Sequence, residues 1–284
     1  MSKIIVVPNS KEELAKLLEK DIDGIILNIK NFSVNASYYV NIDELESIIK
    51  KSTKEIFVSL NKMIKNKDIK DLEIILTKLN KLNIKGILFY DLAVFQLAQE
   101  LKITKDLIIY QNHSNNSIYS NNFFFNLGIT GSLISNDITL EEIYAIKRKT
   151  NMKVMLPVYG HLPMAYSNRY LLTSYFTYLN HPQNNNNYYL KDNNDFHIIK
   201  EETEGSTIYN CNILNLDFEF KSIVENNIDY VILFHEFVDN DTYAKTVDKY
   251  LWFKQGNYLK EPTDSYKAFA NHKTIYKVGS HEKN

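Results

Sequence analysis

The sequence predicts an α/β fold, a TIM-like (β/α)8 barrel with a β-hairpin inserted before the last βα unit. Three observations lead there. Short β-branched runs alternate with longer stretches of helical period. The alternation recurs eight times along the 284 residues. Residues 181–215 break it, with an Asn run, charged clusters and alternating strand patterns in place of the βα rhythm.

The units follow in order. "KIIVV" (3–7) precedes "SKEELAKLLEKD" (10–21), where Ser10 can cap the helix and Glu13 can complete a capping box. "GIILNI" (24–29) pairs with "NIDELESIIKK" (41–51), and "EIFVSL" (55–60) with "DIKDLEIILTKLNKL" (68–82). "GILFY" (86–90) leads into "LAVFQLAQEL" (92–101), and "LIIYQ" (107–111) into "NSIYSNNFFFNLG" (116–128). "GSLIS" (131–135) precedes "TLEEIYAIKRKT" (139–150), and "KVMLPVY" (153–159) precedes "GHLPMAYSNRYLLTSY" (160–175). The eighth unit is "YVILFHEF" (230–237) with "DTYAKTVDKYLWFKQ" (241–255). Residues 1–284 read as one barrel domain, with 181–215 as a hairpin insertion at the C-terminal rim and 256–284 as a C-terminal helix and tail. A doubly wound open sheet is the competing reading, since a strand count does not prove closure.

Composition narrows the function classes. Hydrophobic residues make up 44% and charged residues 24%, which suits a globular chain with a substantial core. A net charge of −1 gives no overall basic footprint for bulk nucleic acid. The single cysteine, Cys211, cannot form an internal disulfide or hold a zinc or iron–sulfur site alone, so no metal is expected and a cytoplasmic location fits. No run reaches the roughly 20 apolar residues a membrane-spanning helix needs. The aromatic stretches "YLLTSYFTY" (170–178) and "FFFNL" (123–127) are expected in the core.

In such a barrel the chemistry lies at the C-terminal ends of the strands. The candidates for acid–base or metal-assisted work there are His113, Asp137, His161, His235 and Glu236. The three histidines follow different strands, and convergence with Asp137 or Glu236 would make a metal site; the paired-His spacing of a barrel hydrolase strand is missing. Asn28, Asn61, Asp91, Gln111, Asn112, Tyr159 and Arg169 are the candidate substrate-binding groups. Ser167 and Thr173 lack a nucleophile-elbow context, and no Gly-rich phosphate loop is present.

Gly160, Leu162, Ala165, Tyr166, Ser167, Arg169, Leu171 and Leu172 fall in register with a signature of Gly, Cys, Ala-Tyr-Ser, Gly-Arg and a second Cys followed by Leu and Ser. By these residues the chain resembles the U32, or collagenase-like, peptidase family. "ISNDITLEEI" (134–143) and "FKSIVENNIDYVIL" (220–233) are similar to two further segments of that family. The resemblance implies a barrel-like fold. In members that keep their cysteines it implies an iron–sulfur cluster used in hydroxylation, of transfer RNA uridine among other substrates. Here Pro163 and Tyr170 stand at two cysteine positions and Asn215 at a further one, while Cys211 lies four residues off register. The cluster is therefore expected to be absent, with Tyr170 packed inward in its place, and no cofactor is expected. The resemblance implies a companion subunit that pairs with a Cys-bearing U32 paralogue and acts on tRNA. A peptidase or hydrolase using the rim groups is one alternative. A non-catalytic barrel holding a small anion on Arg169 and the Asn/Gln rim is another.

Overall fold

The computed structural model describes residues 1–111, 115–184 and 187–272. The chain runs β1 (Lys3–Val6), α1 (Lys11–Glu19), β2 (Gly24–Ile29), β3 (Tyr39–Val40), α2 (Ile42–Lys51), β4 (Glu55–Leu60), α3 (Ile69–Lys81), β5 (Gly86–Phe89) and α4 (Leu92–Glu100). It continues through β6 (Asp106–Ile109), α5 (Ile118–Leu127), β7 (Gly131–Leu133), α6 (Leu140–Lys149), β8 (Lys153–Gly160), β9 (Pro163–Ser167) and α7 (Leu171–Tyr178). It ends with β10 (Tyr188–Asp192), β11 (Asp195–Glu202), β12 (Gly205–Tyr209), β13 (Leu214–Asn215), α8 (Phe220–Glu225), β14 (Tyr230–Leu233) and α9 (Asn240–Lys254).

Eight parallel strands close on themselves in the order β1, β2, β4, β5, β6, β7, β8, β14. Closure is visible at Val6, which is in register with Ile25 on one side and Leu233 on the other. These are the eight strands the apolar runs predict. They read as near-continuous apolar segments because a parallel barrel strand is buried on both faces. One face fills the lumen: Ile5, Ile26, Phe57, Leu88, Ile108, Leu133, Met155 and Ile232 pack together, with Tyr110 above them. The lumen is thus a packed core and not a pore. The other face meets the helices, whose apolar positions recur at helical spacing, as in Leu72, Ile75, Leu76 and Leu79 of α3.

Helix starts follow their sequence signals. Ser10 accepts from the Glu13 N–H at the start of α1, and Thr139 with Glu142 forms a full capping box on α6. The Glu13 carboxylate accepts from the N–H of Asn9 at 2.7 Å, one residue before the cap.

Three expectations need correction. The insertion is larger than a hairpin: β9, β12, β11 and β10 form a four-stranded antiparallel sheet, so residues 163–167 belong to it as well. The aromatic helix α7 packs against this cap sheet, and α8 takes the outer-ring place before β14, burying Phe220 and Ile223. Tyr175 and Tyr178 are consequently exposed, as is Phe123 in α5, although Phe124 is buried. Finally, among the described residues after Gly256 there is no helix. Gly256 ends α9 with φ +89°, and the tail bends back to pair Tyr266 with Leu214.

Candidate functional site at the barrel mouth

The cap sheet lies over the C-terminal ends of the strands, and two lysines tie it there, Lys62 buried and Lys200 partly buried. Lys200 on β11 donates to Glu236 after β14 at 2.7 Å and to the carbonyl of Ala36 at 2.7 Å, and pairs with Glu202 at 3.0 Å. Lys62 after β4 lies 3.4 Å from Glu204, at the cap's β11–β12 turn, and 3.3 Å from Asp68. Ser37 donates to Glu236 at 2.9 Å and Tyr39 to Glu202 at 2.6 Å, so both carboxylates are hydrogen-bonded as well as paired. Burial alone pulls the Lys200 ammonium down, but Glu236 and Glu202 together outweigh it and hold it above the usual lysine range. Beside this network the Tyr209 hydroxyl is buried without a hydrogen-bond partner, and burial with the nearby Glu236 and Glu202 pushes its pKa well up.

Strand β9 crosses the mouth and separates two cavities that share Tyr110, Pro163 and Met164. The larger, about 450 Å3, lies between the ends of β7 and β8, the cap and the tail; Ser135, Asn136, Asp137, Asp195, His197 and Cys211 supply its polar lining. The smaller, about 270 Å3, has Asn35, Asn61, Tyr90 and Tyr166 on its walls.

The predicted site residues divide by this geometry. Asp137 lines the larger cavity and Asn61 the smaller. Asn61 also clamps the preceding loop, accepting from Val34 N–H at 3.0 Å and donating to Val34 O at 3.1 Å. Glu236 is held in the cap network. Asp91 caps α4 and accepts from Ile64 N–H at 2.9 Å, and Gln111 donates to Tyr90 O at 2.7 Å. Asn28 is buried in β2, in register with Tyr39 and Ser59. Tyr159 faces the helices, its ring 6.3 Å from Tyr243, and not the mouth. Arg169 is exposed and lines neither cavity. Asn112 and His113 lie outside the described residues.

The two described candidate histidines are not brought together. His235 donates from Nδ1 to Glu13 at 2.7 Å, lies 3.3 Å from Asn9 through Nε2, and stacks on Tyr243 at 3.9 Å. It is buried between β14 and the outer layer. His161 donates from Nδ1 to Asn210 O at 2.9 Å, its edge meeting Phe237, and burial lowers its pKa. Neither joins Asp137 or Glu236 in a metal-ligating group among the described residues.

Tyr170 is the clearest correction. It is 47% exposed and donates its hydroxyl to Thr203 O at 2.7 Å, so it does not fill an interior space. Pro163 sits on β9 and Asn215 on β13, and with one cysteine in the chain the residues at these positions do not fit a thiolate-held cluster. Lys200, Glu202, His197 and Asp195 were not legible as site residues. Their only signal is alternation along β11, which says nothing about which face meets the barrel.

A closed (β/α)8 barrel whose mouth is roofed by an antiparallel cap is the class of protein that this fold and site define. The sequence profile of peptidase family U32 matches residues 9–279, and the chain belongs to that family. It is similar to tRNA hydroxylation protein P2 of Bacillus subtilis (strain 168), 19% identical over 237 residues that cover 80% of this chain and 77% of that protein. Among solved structures it is similar to the U32 peptidase Mk0906, with a TM-score of 0.53 at 15% identity, covering 82% of this chain and 92% of that one. Orotidine 5'-monophosphate decarboxylase from Methanocaldococcus jannaschii has the same barrel, with a TM-score of 0.50 at 12% identity over 88% of this chain and 97% of that one.

Proposed function

We propose that the chain is a cluster-less U32 protein that acts as a companion subunit in wobble-uridine hydroxylation of tRNA. The observation that carries this reading is a combination. The chain matches a tRNA hydroxylation protein over most of both lengths, yet Pro163, Tyr170 and Asn215 stand where cluster thiolates are expected. A subunit without its own redox centre needs a partner that has one, which here is a Cys-bearing U32 paralogue in the same cytoplasm.

The cap offers surface for such a contact. Tyr178 on α7, Tyr189 on β10 and Phe196 on β11 are 87%, 54% and 53% exposed. Lys191 lies opposite Phe196 in the β10–β11 register, with its ammonium 5.8 Å from the ring. Aromatic side chains of this kind are enriched at protein interfaces, and each also presents a face on which a base can stack.

The test is co-purification of the tagged chain with the Cys-bearing paralogue, together with mass spectrometry of tRNA nucleosides from a deletion strain. A stable complex and loss of hydroxylated uridine are expected, with Tyr178→Ser/Tyr189→Ser weakening the complex. An isolated chain and unchanged nucleosides would overturn the reading. No helix among the described residues is long and apolar enough to cross a membrane.

A further inference from the structure

We propose that Asp195, His197 and Cys211 bind one divalent transition-metal ion of the zinc type at the edge of the larger mouth cavity. One ligand atom from each lies within 4.8 Å of the other two, and among the described residues they form the only such group of three or more. A tetrahedral ion with bonds of 2.0–2.3 Å sets its ligand atoms about 3.5 Å apart. The three side chains therefore reach a common ion with shifts of about 1 Å, within the range of rotamer adjustment at a partly exposed rim.

The local structure explains why they meet. Asp195 and His197 are two apart on β11, so they point to the same side of the strand. Strand β12 ends at Tyr209, and the chain then bends at Cys211 and Asn212 instead of continuing the ladder, which swings the thiol back toward the other two groups. The bend is held by Asn210, whose carbonyl accepts from His161 at 2.9 Å and whose side chain accepts from Asn212 N–H at 3.2 Å.

Two further observations point to a ligand. The Nδ1 atom of His197 is buried and has no hydrogen-bond partner, although a buried ring nitrogen ordinarily finds one. The three groups also border a cavity of about 450 Å3, which leaves room for a fourth ligand from solvent. Three protein donors with one open position is the arrangement of a reactive zinc site, whereas a structural site is closed by four. The donor set selects the ion: thiolate and imidazole favour zinc, cobalt or ferrous iron over magnesium and calcium, which take oxygen ligands. None of the three residues occupies a position where the resemblance places a cluster cysteine, so the ligand set differs from that of the lost cluster, although Pro163 at one such position lines the same cavity. The site also stands independently of any role in tRNA hydroxylation.

The test titrates Co2+ into the full chain after chelator dialysis, anaerobically and with the thiol reduced. One equivalent should bind, with a thiolate-to-cobalt charge-transfer band in the near ultraviolet and strong tetrahedral bands in the visible, and Zn2+ should displace it. Cys211→Ser should abolish the charge-transfer band, and His197→Ala should weaken binding at least about tenfold. Asp195→Asn alters an exposed side chain, leaves the fold intact by circular dichroism, and should also weaken binding. Absence of the band in the unsubstituted protein, or affinity unchanged in both His197→Ala and Asp195→Asn, would overturn the proposal.

Discussion

Gly160 shows how a single residue lets two barrel strands lie close at the mouth. It adopts φ +121°, and a Cβ there would lie 2.7 Å from the Phe234 carbonyl oxygen, so any side chain would force β8 and β14 apart where the mouth opens. Its retention within an otherwise altered signature therefore has a steric cause. His161, the next residue, is set by polarity. Its carbonyl partner can only accept, so Nδ1 carries the proton in the neutral ring, and burial depresses the pKa below the ordinary 6.5. A folded ring that protonates less readily than the unfolded one contributes stability above pH 6.5 that is lost as the pH falls through the folded pKa. Thermal melts between pH 7.5 and 5 should show that loss, and His161→Asn, whose amide can donate in place of Nδ1–H, should flatten it. An unchanged slope in His161→Asn would assign the pH dependence to other groups.

Among the elements, α7 has little support from its own sequence. Its N-cap, Tyr170, makes no side-chain cap bond. The carboxylate of Glu201 takes that role from across the cap sheet, accepting from the N–H groups of Leu172 at 2.8 Å and Thr173 at 3.2 Å and from the Thr173 hydroxyl. Glu201→Ala should therefore cost about 1 kcal/mol and concentrate the effect on one helix. Hydrogen exchange should accelerate at the α7 amides while the barrel amides keep their protection; uniform acceleration would mean the cap and barrel unfold as one. This helix also shows why the aromatic run misled as a core signal. Helical periodicity identifies an apolar stripe, but only packing layers decide whether the stripe is covered. Leu172 is buried against the cap, while Tyr175 and Tyr178 extend past its edge.

At the scale of the whole molecule, stability divides between a barrel with two apolar cores and a cap fastened by ion pairs, hydrogen bonds and ring packing. Lys200→Met would leave Glu236 and Glu202 in the mouth without their cation, a loss of about 3 kcal/mol. Calorimetry should then resolve an early cap transition ahead of barrel melting, and Lys200→Met/Glu236→Gln should recover part of the loss because one stranded charge is neutralised. A single transition with unchanged midpoint would show that the bridge contributes nothing to docking. The barrel was legible in the sequence for a local reason: each strand buried on both faces writes a continuous apolar run, and most of the helices write an apolar stripe and a cap. The cap was legible only as an interruption. Its antiparallel strands alternate, and alternation does not say that β9 would join β12, that Lys200 would find Glu236, or that Asp195 and His197 would reach Cys211. The sequence by itself determined the eight barrel strands and seven of the helices that cover them, the family signature and the loss of its thiols. The tertiary structure alone decided which side chains share the mouth, because those contacts join residues far apart in the chain through registers and bends that no local pattern encodes.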